Sequence, residues 1–359
     1  MAKNYHIAFI TPYPFDTAPS QRFRFEQYYT VLLNANIKYV NYPFLSQKSW
    51  AILYKKGNQL SKIAGVLSGF LKRFLLLFSL SKYDYVFIHR EASPIGPPIF
   101  EWVIAKILQK KIIYDFDDSI WLANTSSANR LVAKLKWHAK VSSICKWSHK
   151  ISCGNQYLMT YAKQYNPNVV FNPTTINLNY QNHQKKNHQK TEEIILGWTG
   201  SHSTLKYLDL IIDEIIEIAK GYKIKLLVIC NERPEYQDDF IEYIKWSSKT
   251  EINDLLKIDI GLMPLTEDKW SNGKCGFKAL QYMSLGIPCV VSPVGVNNDI
   301  IQNKKNGFLA KKGDWVISLE GLIKSIDLRQ NIGENGFDFV QKKYSTQSNA
   351  DNFLSLFLS

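Results

Sequence analysis

Cysteine is scarce in this sequence, and its few copies are not arranged to bind a metal or to form a redox pair. The five cysteines are widely spaced and include no Cys-x-x-Cys pair, which excludes a cysteine-based zinc site and a disulfide framework. The N-terminus also lacks the apolar segment and small-residue cleavage site of a secretory signal. No long low-complexity tract is present, and the 45% share of hydrophobic residues is that of a folded globular protein. We therefore expect reduced thiols and a cytoplasmic protein.

Acidic residues are scarce in the first half of the chain. Residues 1–172 carry 22 Lys+Arg against 8 Asp+Glu, whereas residues 173–359 carry 22 against 23. The excess behind the formal net charge of +13 therefore lies in the first half. A one-sided positive field indicates an anionic partner for that half, which could be phospholipid, nucleic acid or a phosphorylated acceptor.

The first half also lacks an uninterrupted apolar run long enough to span a membrane. Its most apolar segment, residues 60–83, is broken by Lys72 and Arg73, which argues against a spanning helix. Two interpretations stay open. The segment is either an amphipathic helix on an anionic membrane surface, or a helix packed on its own domain with the basic pair reaching solvent. In the first case, the candidates for insertion are Phe70, Phe74, Leu75 and Phe78.

Short apolar runs alternate with longer helical patterns along the whole chain. The predicted strands are residues 5–11, 37–42, 83–89, 110–116, 149–153 and 168–172 in the first half, and 193–199, 223–230, 257–264, 287–292 and 306–310 in the second. Near-continuous apolar strands separated by helices predict parallel sheets covered on both faces. A length of 359 residues favours two domains. We predict an α/β protein with two Rossmann-like domains facing a central cleft.

The predicted domain boundaries follow from these patterns. Residues 1–172 form the first domain, the polar stretch 173–192 is a linker, and residues 193–340 form the second domain. Residues 341–359 end in a stripe of apolar side chains, and we predict a C-terminal helix there. One arrangement open to this helix is packing against the first domain.

A glycine-rich turn opens the second domain. In "LGWTGSHSTLKYLDLI", residues 196–211, a strand runs through Gly200 into a helix. Ser201 and His202 stand where caps and phosphate-binding groups are found, and Lys206 is expected in the first helical turn. The alternative is an ordinary capped turn without a ligand.

The stretch "GKCGFKALQYMSLGIPCVVSPVGVNNDII", residues 273–301, places two lysines at the start of a predicted helix. Lys274 and Lys278 oppose the helix dipole there, which costs stability unless an anion lies nearby. Gln281 falls one turn beyond Lys278 on the same face. The following strand ends where open α/β sheets bind ligands. These are parts for binding a nucleoside diphosphate through fixed positive charge; solvated surface lysines are the alternative.

Residues 271–310 resemble the C-terminal signature of the retaining GT-B glycosyltransferases of family 4, also called glycosyltransferase group 1. The match covers a helix, a Gly-x-Pro-Val-Val strand, a small-residue loop, a second helix start and an Asn-Gly-Phe strand. The family includes many enzymes of bacterial cell-surface polysaccharide biosynthesis. This chain departs from it at three positions, since the family's two glutamates would fall on Gly273 and Gln281 and its arginine on Ser201.

The resemblance implies a retaining, metal-independent glycosyltransferase without a cofactor. The donor is a nucleotide-sugar, and the acceptor is a glycan or a polyprenyl-diphosphate-linked glycan. The residues predicted to stabilise the departing diphosphate are Lys206, Lys274 and Lys278. The predicted donor-binding residues are Gly200, Ser201, His202, Gln281, Ser292, Gly295, Val296 and Asn297.

The first domain is expected to bind the acceptor. The loops after two of its strands are rich in polar side chains, and alternate arginines in an extended segment are able to clamp a diphosphate. The predicted acceptor-binding residues are Ser20, Gln21, Arg22, Arg24, His89, Arg90, Asp117 and Asp118. The alternatives are a helix start with surface arginines and a structural histidine. We place the protein on the inner face of the cytoplasmic membrane, as a peripheral protein that does not bind nucleic acid.

Three other functions remain open at this point. Asp115 and Asp117 after an apolar strand have the Asp-x-Asp form of the metal site in GT-A glycosyltransferases. A GT-B protein that binds sugar nucleotides without catalysis would explain the missing glutamates. A nucleic-acid-binding protein would use the basic first half, although no recognised module is present. The sequence leaves the oligomeric state open.

Overall fold

The computed structural model describes residues 5–53, 55, 57–123, 136–180, 184–236 and 238–358. The chain divides into two units. Unit 1 comprises Met1–Thr174 together with Asn349–Ser359, and unit 2 comprises Thr175–Ser348. Each unit contains one six-stranded sheet. The predicted pair of parallel α/β domains is therefore confirmed.

The sheet of unit 1 is parallel throughout. Its strands are β1 (His6–Thr11), β2 (Lys38–Pro43), β3 (Tyr85–His89), β4 (Lys111–Phe116), β5 (Lys150–Cys153) and β6 (Val169–Phe171). They lie in the order β2-β1-β3-β4-β5-β6. The order reverses between β1 and β3, and open α/β sheets bind ligands beyond the carboxyl ends of the strands at such a point.

Helices cover both faces of this sheet. They are α1 (Pro19–Arg22), α2 (Tyr29–Asn34), α3 (Gln47–Leu53), α4 (Gln59–Leu77), α5 (Ile99–Trp102), α6 (Lys140–Trp147) and α7 (Gln156–Lys163). Short 3-10 helices span Glu26–Tyr28 and Leu80–Lys82, and a π-helix spans Val103–Ile107.

The core of unit 1 is unusually aromatic and is completed by the end of the chain. Phe9 on β1 packs against Phe87 on β3, with ring centroids 4.8 Å apart. Phe353 stacks on Tyr28 at 4.3 Å, and Phe357 lies 5.8 Å from the ring of Tyr85. Both C-terminal phenylalanines are fully buried. The apolar stripe at the C-terminus thus belongs to the core of unit 1.

Unit 2 also has a parallel sheet. Its strands are β7 (Ile194–Gly200), β8 (Ile224–Cys230), β9 (Ile241–Lys245), β10 (Ile260–Met263), β11 (Cys289–Val291) and β12 (Phe308–Leu309). The order is β12-β11-β10-β7-β8-β9, so the reversal point lies between β7 and β10. The ends of these two strands are where a ligand of unit 2 is expected.

The helices around the second sheet follow amphipathic patterns. They are α8 (Ile212–Gly221), α9 (Glu251–Leu255), α10 (Lys269–Asn272), α11 (Phe277–Ser284), α12 (Asn297–Ile300), α13 (Trp315–Lys324) and α14 (Ile326–Lys343), with a 3-10 helix at His202–Leu210. A last helix, α15 (Ala350–Leu354), belongs to unit 1. Helix α8 shows the pattern, since it buries Ile215 and Ile218 against the sheet and exposes its charged face to water.

Part of the predicted linker packs against unit 2. Lys186 donates its backbone N–H to the carbonyl of Leu285 at 2.7 Å and forms an ion pair with Asp259 at 2.9 Å. The ring of His188 lies 3.0 Å from the carbonyl of Gly286. These residues are thus held in place, while residues 181–183 of the predicted linker lie outside the described residues.

The basic pair in α4 does not reach solvent as a pair. Arg73 is buried and donates to the carbonyls of Thr11 at 2.8 Å and Ala92 at 2.7 Å. Burial lowers the pKa of its guanidinium to about 9. Only Lys72 is exposed, so the expectation that the side chain of Arg73 also reaches solvent is wrong.

Within the described ranges, the structure contains no helix with the length and apolar character needed to span a membrane.

Candidate functional site

The turn after β7 is built for a close approach of the backbone. A Cβ on Gly200 would lie 2.4 Å from the Trp198 ring and 2.8 Å from the hydroxyl of Thr204, so only glycine fits there. Ser201 then caps the 3-10 helix and forms a capping box with Thr204. Lys206 is exposed and lies in the second turn of this helix, not in the first as predicted.

His202 follows the cap and faces solvent. Its backbone N–H donates to the side chain of Asn231 at 2.7 Å, and its ring lies 3.6 Å from Glu232. This exposed pair contributes little to stability. The imidazole ring of His202 therefore lies at the surface of the turn, where its contact with Glu232 holds it weakly.

Helix α11 starts beside this turn. Its cap, Gly276, has a φ of 68°, in the left-handed region that glycine adopts without strain. Further along the helix, the buried hydroxyl of Tyr282 accepts from the N–H of Thr199 at 3.0 Å and donates to the carbonyl of Gly197 at 3.2 Å. These bonds fix α11 against β7.

The lysines of α11 lie close to the turn. The Lys278 ammonium lies 5.4 Å from the centre of the Trp198 ring, the same ring that contacts Gly200. Lys274 precedes the helix and lies 5.2 Å from the ring of Trp270. The structure thus brings Lys278 together with the glycine-rich turn at the carboxyl end of β7.

The loop between β11 and α12 forms the next part of the site. Ser292 accepts the N–H of Leu265 at 2.9 Å through its hydroxyl, and its carbonyl accepts the Asn297 amide at 3.0 Å. The carbonyl oxygen of the Asn297 side chain is buried and has no hydrogen-bond partner within the described part of the chain. Since such groups are normally paired, this oxygen is suited to accept a hydrogen bond from a ligand.

Two further residues that the sequence predicts to bind the nucleotide-sugar donor shape that loop. Gly295 has a φ of 53°, and a Cβ there would lie 3.1 Å from the backbone of Asn272. Val296 is buried, and its side chain lies close to Gly276. The loop therefore packs against the segment that leads into α11.

Gln281 has a buried partner that the sequence does not indicate. Its amide donates to the Glu251 carboxylate at 3.2 Å, which also accepts the indole N–H of Trp246 at 3.1 Å. Gln281 and Glu251 are both buried. A glutamate in the first turn of a helix is usually explained by the helix dipole, so sequence reasoning misses Glu251.

Replacing Gln281 by glutamate is expected to destabilise the protein. Gln281→Glu would place two buried carboxylates in contact, and like charges in one site disfavour ionisation of both. We expect a loss on the order of 2 kcal/mol in the free energy of unfolding at pH 8, measured by urea denaturation. The double variant Glu251→Gln/Gln281→Glu restores one carboxylate and one amide. It should recover most of the lost free energy of unfolding. A Gln281→Glu protein as stable as the wild type would contradict this contact.

In unit 1, an aspartate, an arginine and a histidine form a buried network. Asp115 lies 2.8 Å from Nδ1 of His89, pairs with Arg24, and accepts the hydroxyl of Ser152 at 2.6 Å. Asp115, His89 and Arg24 are almost completely buried. Burial alone would raise the pKa of the Asp115 carboxyl, but Arg24 and His89 outweigh it and hold that pKa well below its usual range.

A second charged group lies at the ends of β3 and β4 and is partly exposed. Arg90 contacts Asp117 and Asp118, each at 2.7 Å. Burial alone would lower the pKa of the Arg90 guanidinium. The two carboxylates outweigh burial and raise that pKa above its ordinary value. Arg90 has a φ of 60°, and its carbonyl accepts the Tyr114 hydroxyl at 2.7 Å. The structure thus brings together three of the predicted acceptor residues.

The arginine-rich loop differs from the expected extended segment. Pro19–Arg22 forms helix α1, so the prediction of an extended arginine clamp is wrong. Arg22 is buried and pairs with Asp16 at 3.0 Å, while Ser20 is half-buried. Arg22 and Arg24 therefore pair with different carboxylates, and their contact with an acceptor stays a prediction.

Gln21 holds the loop that precedes α1. Its side chain accepts the N–H of Tyr13 at 2.9 Å and donates to the carbonyl of the same residue at 3.0 Å. It also donates to Glu26 at 2.9 Å, whose pKa is raised to about 7 by burial. The role of Gln21 in acceptor binding likewise stays a prediction.

The two carboxylates of the Asp-x-Asp motif do not converge. Asp115 pairs with Arg24 and Asp117 pairs with Arg90. Across the described residues, no group of three or more His, Cys, Asp or Glu side chains is placed to hold a metal ion. The metal-dependent alternative therefore finds no support in the arrangement of these carboxylates.

One family model matches a segment in the second half of the chain. Residues 193–326 match the family described as Glycosyl transferases group 1. The capsular polysaccharide biosynthesis glycosyltransferase CapM of Staphylococcus aureus is 25% identical over 171 residues, which cover 44% of this chain and 43% of CapM. The match thus spans less than half the length of that relative.

Solved structures match almost the whole chain. Sucrose-phosphate synthase from Thermosynechococcus elongatus has a TM-score of 0.68 at 11% identity and 98% coverage of both chains. HepE from Anabaena, solved with UDP and glucose, has a TM-score of 0.60 at 11% identity and the same coverage. At this identity the likeness shows the fold. Residues 193–326 are thus similar to glycosyl transferases group 1, and the chain has the two-domain GT-B fold that the resemblance implies.

Proposed function

We propose that the protein is a retaining, metal-independent glycosyltransferase. It moves a sugar from a nucleotide-sugar to a glycan or polyprenyl-diphosphate-linked acceptor during cell-surface polysaccharide biosynthesis. The observation that carries the proposal is the meeting of Lys278 and the Gly200 turn at the Trp198 ring, at the reversal point of the sheet of unit 2. Two similar proteins support it, since CapM is a glycosyltransferase of capsular polysaccharide biosynthesis and HepE, which shares the fold, was solved with UDP and glucose.

In this proposal the lysines of unit 2 stabilise the leaving group. The bond between the sugar and the diphosphate breaks while the acceptor oxygen bonds to the same face of the sugar carbon. The proton of the acceptor hydroxyl passes to the departing phosphate oxygen. Lys206, Lys274 and Lys278 neutralise the charge that develops on the diphosphate, which is the largest contribution that fixed groups make to such a reaction.

The Gln281–Glu251 pair takes the place of the family's second glutamate. In the family that carboxylate binds the ribose hydroxyls of the donor. Here the side chain at position 281 is an amide, but a carboxylate from α9 contacts it at 3.2 Å. Glu251 and Gln281 together therefore supply both the acceptor and donor groups that ribose hydroxyls need. Asn297 adds a buried carbonyl oxygen to the same donor site.

In unit 1, the Arg90 group is the best-placed part of the predicted acceptor site. Arg90, Asp117 and Asp118 are partly exposed, whereas Arg24 and His89 are buried with Asp115. Carboxylates accept hydrogen bonds from sugar hydroxyls, and the guanidinium suits a phosphate. The buried network positions the strand ends on which this group stands.

The excess of positive charge in the first half of the chain supports a location at the inner face of the cytoplasmic membrane. A polyprenyl-linked acceptor is anchored in that membrane, and anionic lipids attract a positively charged domain. Nucleic acid is not part of the proposal, because the second half carries the nucleotide-sugar site.

A thermal-shift screen tests the proposed function. The purified protein is heated with UDP-, GDP-, ADP- and CMP-sugars, each with and without EDTA. One nucleotide class should stabilise the fold by about 2.7 kcal/mol at a concentration 100 times its Kd, with no loss in EDTA. No response to any donor would refute the proposal, and a response abolished by EDTA would refute metal independence. Donor binding without transfer or hydrolysis would favour the inactive GT-B alternative.

A further inference from the structure

Helix α4 carries a line of large apolar side chains on its outer face. We call this line the α4 stripe. Its members are Leu60, Ile63, Leu67, Leu71 and Phe74 on the helix and Phe78 at its C-cap, and each is more than half exposed, from 53% for Phe74 to 84% for Leu60. At 100° per residue these positions fall within an arc of about 80°, along about 27 Å of helix. Exposed apolar patches of this extent mark an interaction surface.

The opposite face of α4 is what attaches the helix to unit 1. Arg73 and Leu76 are buried, and Arg73 bonds to the carbonyls of Thr11 and Ala92. Gly69 lies so close to Phe44 that a Cβ there would approach the ring to 2.5 Å. These contacts fix the rotation of the helix about its axis. The α4 stripe is thereby kept outward and takes no part in the core.

The surroundings of the α4 stripe are basic. Residues 27–83 contain eight Lys+Arg and no Asp or Glu, and Lys55, Lys72 and Lys82 are exposed. The helices that pack against α4 are α3 and α5. Helix α3 has no acidic residue, and the glutamate of α5, Glu101, is buried. An apolar stripe in a positive setting fits a surface that is both apolar and anionic.

We propose that the α4 stripe docks unit 1 onto an anionic phospholipid surface, with its apolar side chains among the acyl chains and Lys72 and Lys82 at the headgroups. Interfacial helices bind membranes through this combination of apolar burial and attraction to anionic lipid. A second copy of the chain fits less well, because it would bring two basic flanks together. The inference deepens the proposed membrane attachment and does not depend on sugar transfer.

Vesicle binding tests the inference with two stripe residues. The variant Leu67→Glu/Leu71→Glu keeps good helix formers but removes apolar contact with lipid. We expect the wild type to sediment with vesicles of phosphatidylglycerol and phosphatidylcholine, and the variant's partition coefficient to fall at least about tenfold. The matched control is Leu33→Glu/Ile317→Glu, which makes the same change in charge at two other exposed positions and should stay within about twofold of the wild type.

A second variant covers the case in which the stripe variant fails to fold. Lys72→Glu/Lys82→Glu changes only exposed side chains and should also weaken binding to anionic vesicles, with little effect on pure phosphatidylcholine. Wild-type protein that stays in the supernatant would overturn the inference. So would equal binding by stripe and control variants, or a wild-type dimer in light scattering that the stripe variant dissociates while vesicle binding is unchanged. Thermal shift with the nucleotide-sugar should be retained in every folded variant, which separates this inference from the proposed function.

Discussion

Asp115→Ala should lower the free energy of unfolding by about 3–5 kcal/mol. The substitution leaves the buried guanidinium of Arg24 without its carboxylate and removes the partner of His89 at 2.8 Å. A buried charge without a partner is costly, because neither water nor a counter-ion compensates it. Urea denaturation at pH 7, with the slope held equal for both proteins, gives the difference directly.

The pH dependence identifies the cause of this loss. Because the pKa of Asp115 in the folded protein is below its ordinary value of 3.8, its ionised form stabilises the fold at pH values above about 4. That contribution is lost as the pH falls further. The difference between wild type and Asp115→Ala should therefore narrow below about pH 4.

The control for Asp115 is an exposed ion pair. Glu217→Ala breaks the contact between Glu217 and Lys220 on α8, where both side chains are more than half exposed. Surface pairs of this kind contribute less than about 1 kcal/mol. An Asp115→Ala variant no less stable than Glu217→Ala would contradict the importance of the buried network.

The second large effect concerns turnover. Lys278→Ala should lower kcat for sugar transfer by about 10²- to 10³-fold, the usual effect of removing one group that stabilises developing charge. The fold should persist, because α11 is fixed against β7 by Tyr282. The measurement combines a single-turnover assay with the donor found by thermal shift and calorimetric titration of the same donor, so that chemistry and binding are separated.

A lysine at the other end of the sheet serves as the control for Lys278. Lys220 lies in the last turn of α8, just before β8 begins, so it stands at the amino-terminal edge of the sheet and away from the Gly200 turn. Lys220→Ala should leave kcat unchanged. Normal turnover in Lys278→Ala would reject the role of this lysine in the reaction.

The fold was predictable because its signals are local. All eleven predicted strands form, within about three residues at each end. Among the described residues, the missed strand is β9, an edge strand in which Glu242 and Lys245 are exposed. Its alternating pattern lacks the continuous apolar run by which buried parallel strands are found. The two-unit architecture therefore follows from the sequence, but the edge of the second sheet does not.

The site was predictable only where its parts are close in the chain. The Gly200 turn and the start of α11 carry glycine, cap and lysine signals within a few residues of one another. The contact between Glu251 and Gln281 joins positions 30 residues apart, and no local pattern indicates it. Arg73 and Arg24 show the same limit, since both look like surface charges in the sequence and both are buried in tertiary contacts.

The position of the C-terminal segment has a consequence for how the protein is made. Phe353 and Phe357 fill the aromatic core of unit 1, yet the ribosome adds them only after the whole of unit 2. Unit 1 therefore cannot close its core until Phe357 has been added, whereas Thr175–Ser348 is complete earlier. Domains generally fold in the order in which they emerge. Here part of the apolar interior of unit 1 stays uncovered until Asn349–Ser359 have been synthesised. A chain that terminates before Phe353 would leave that interior open and prone to aggregation.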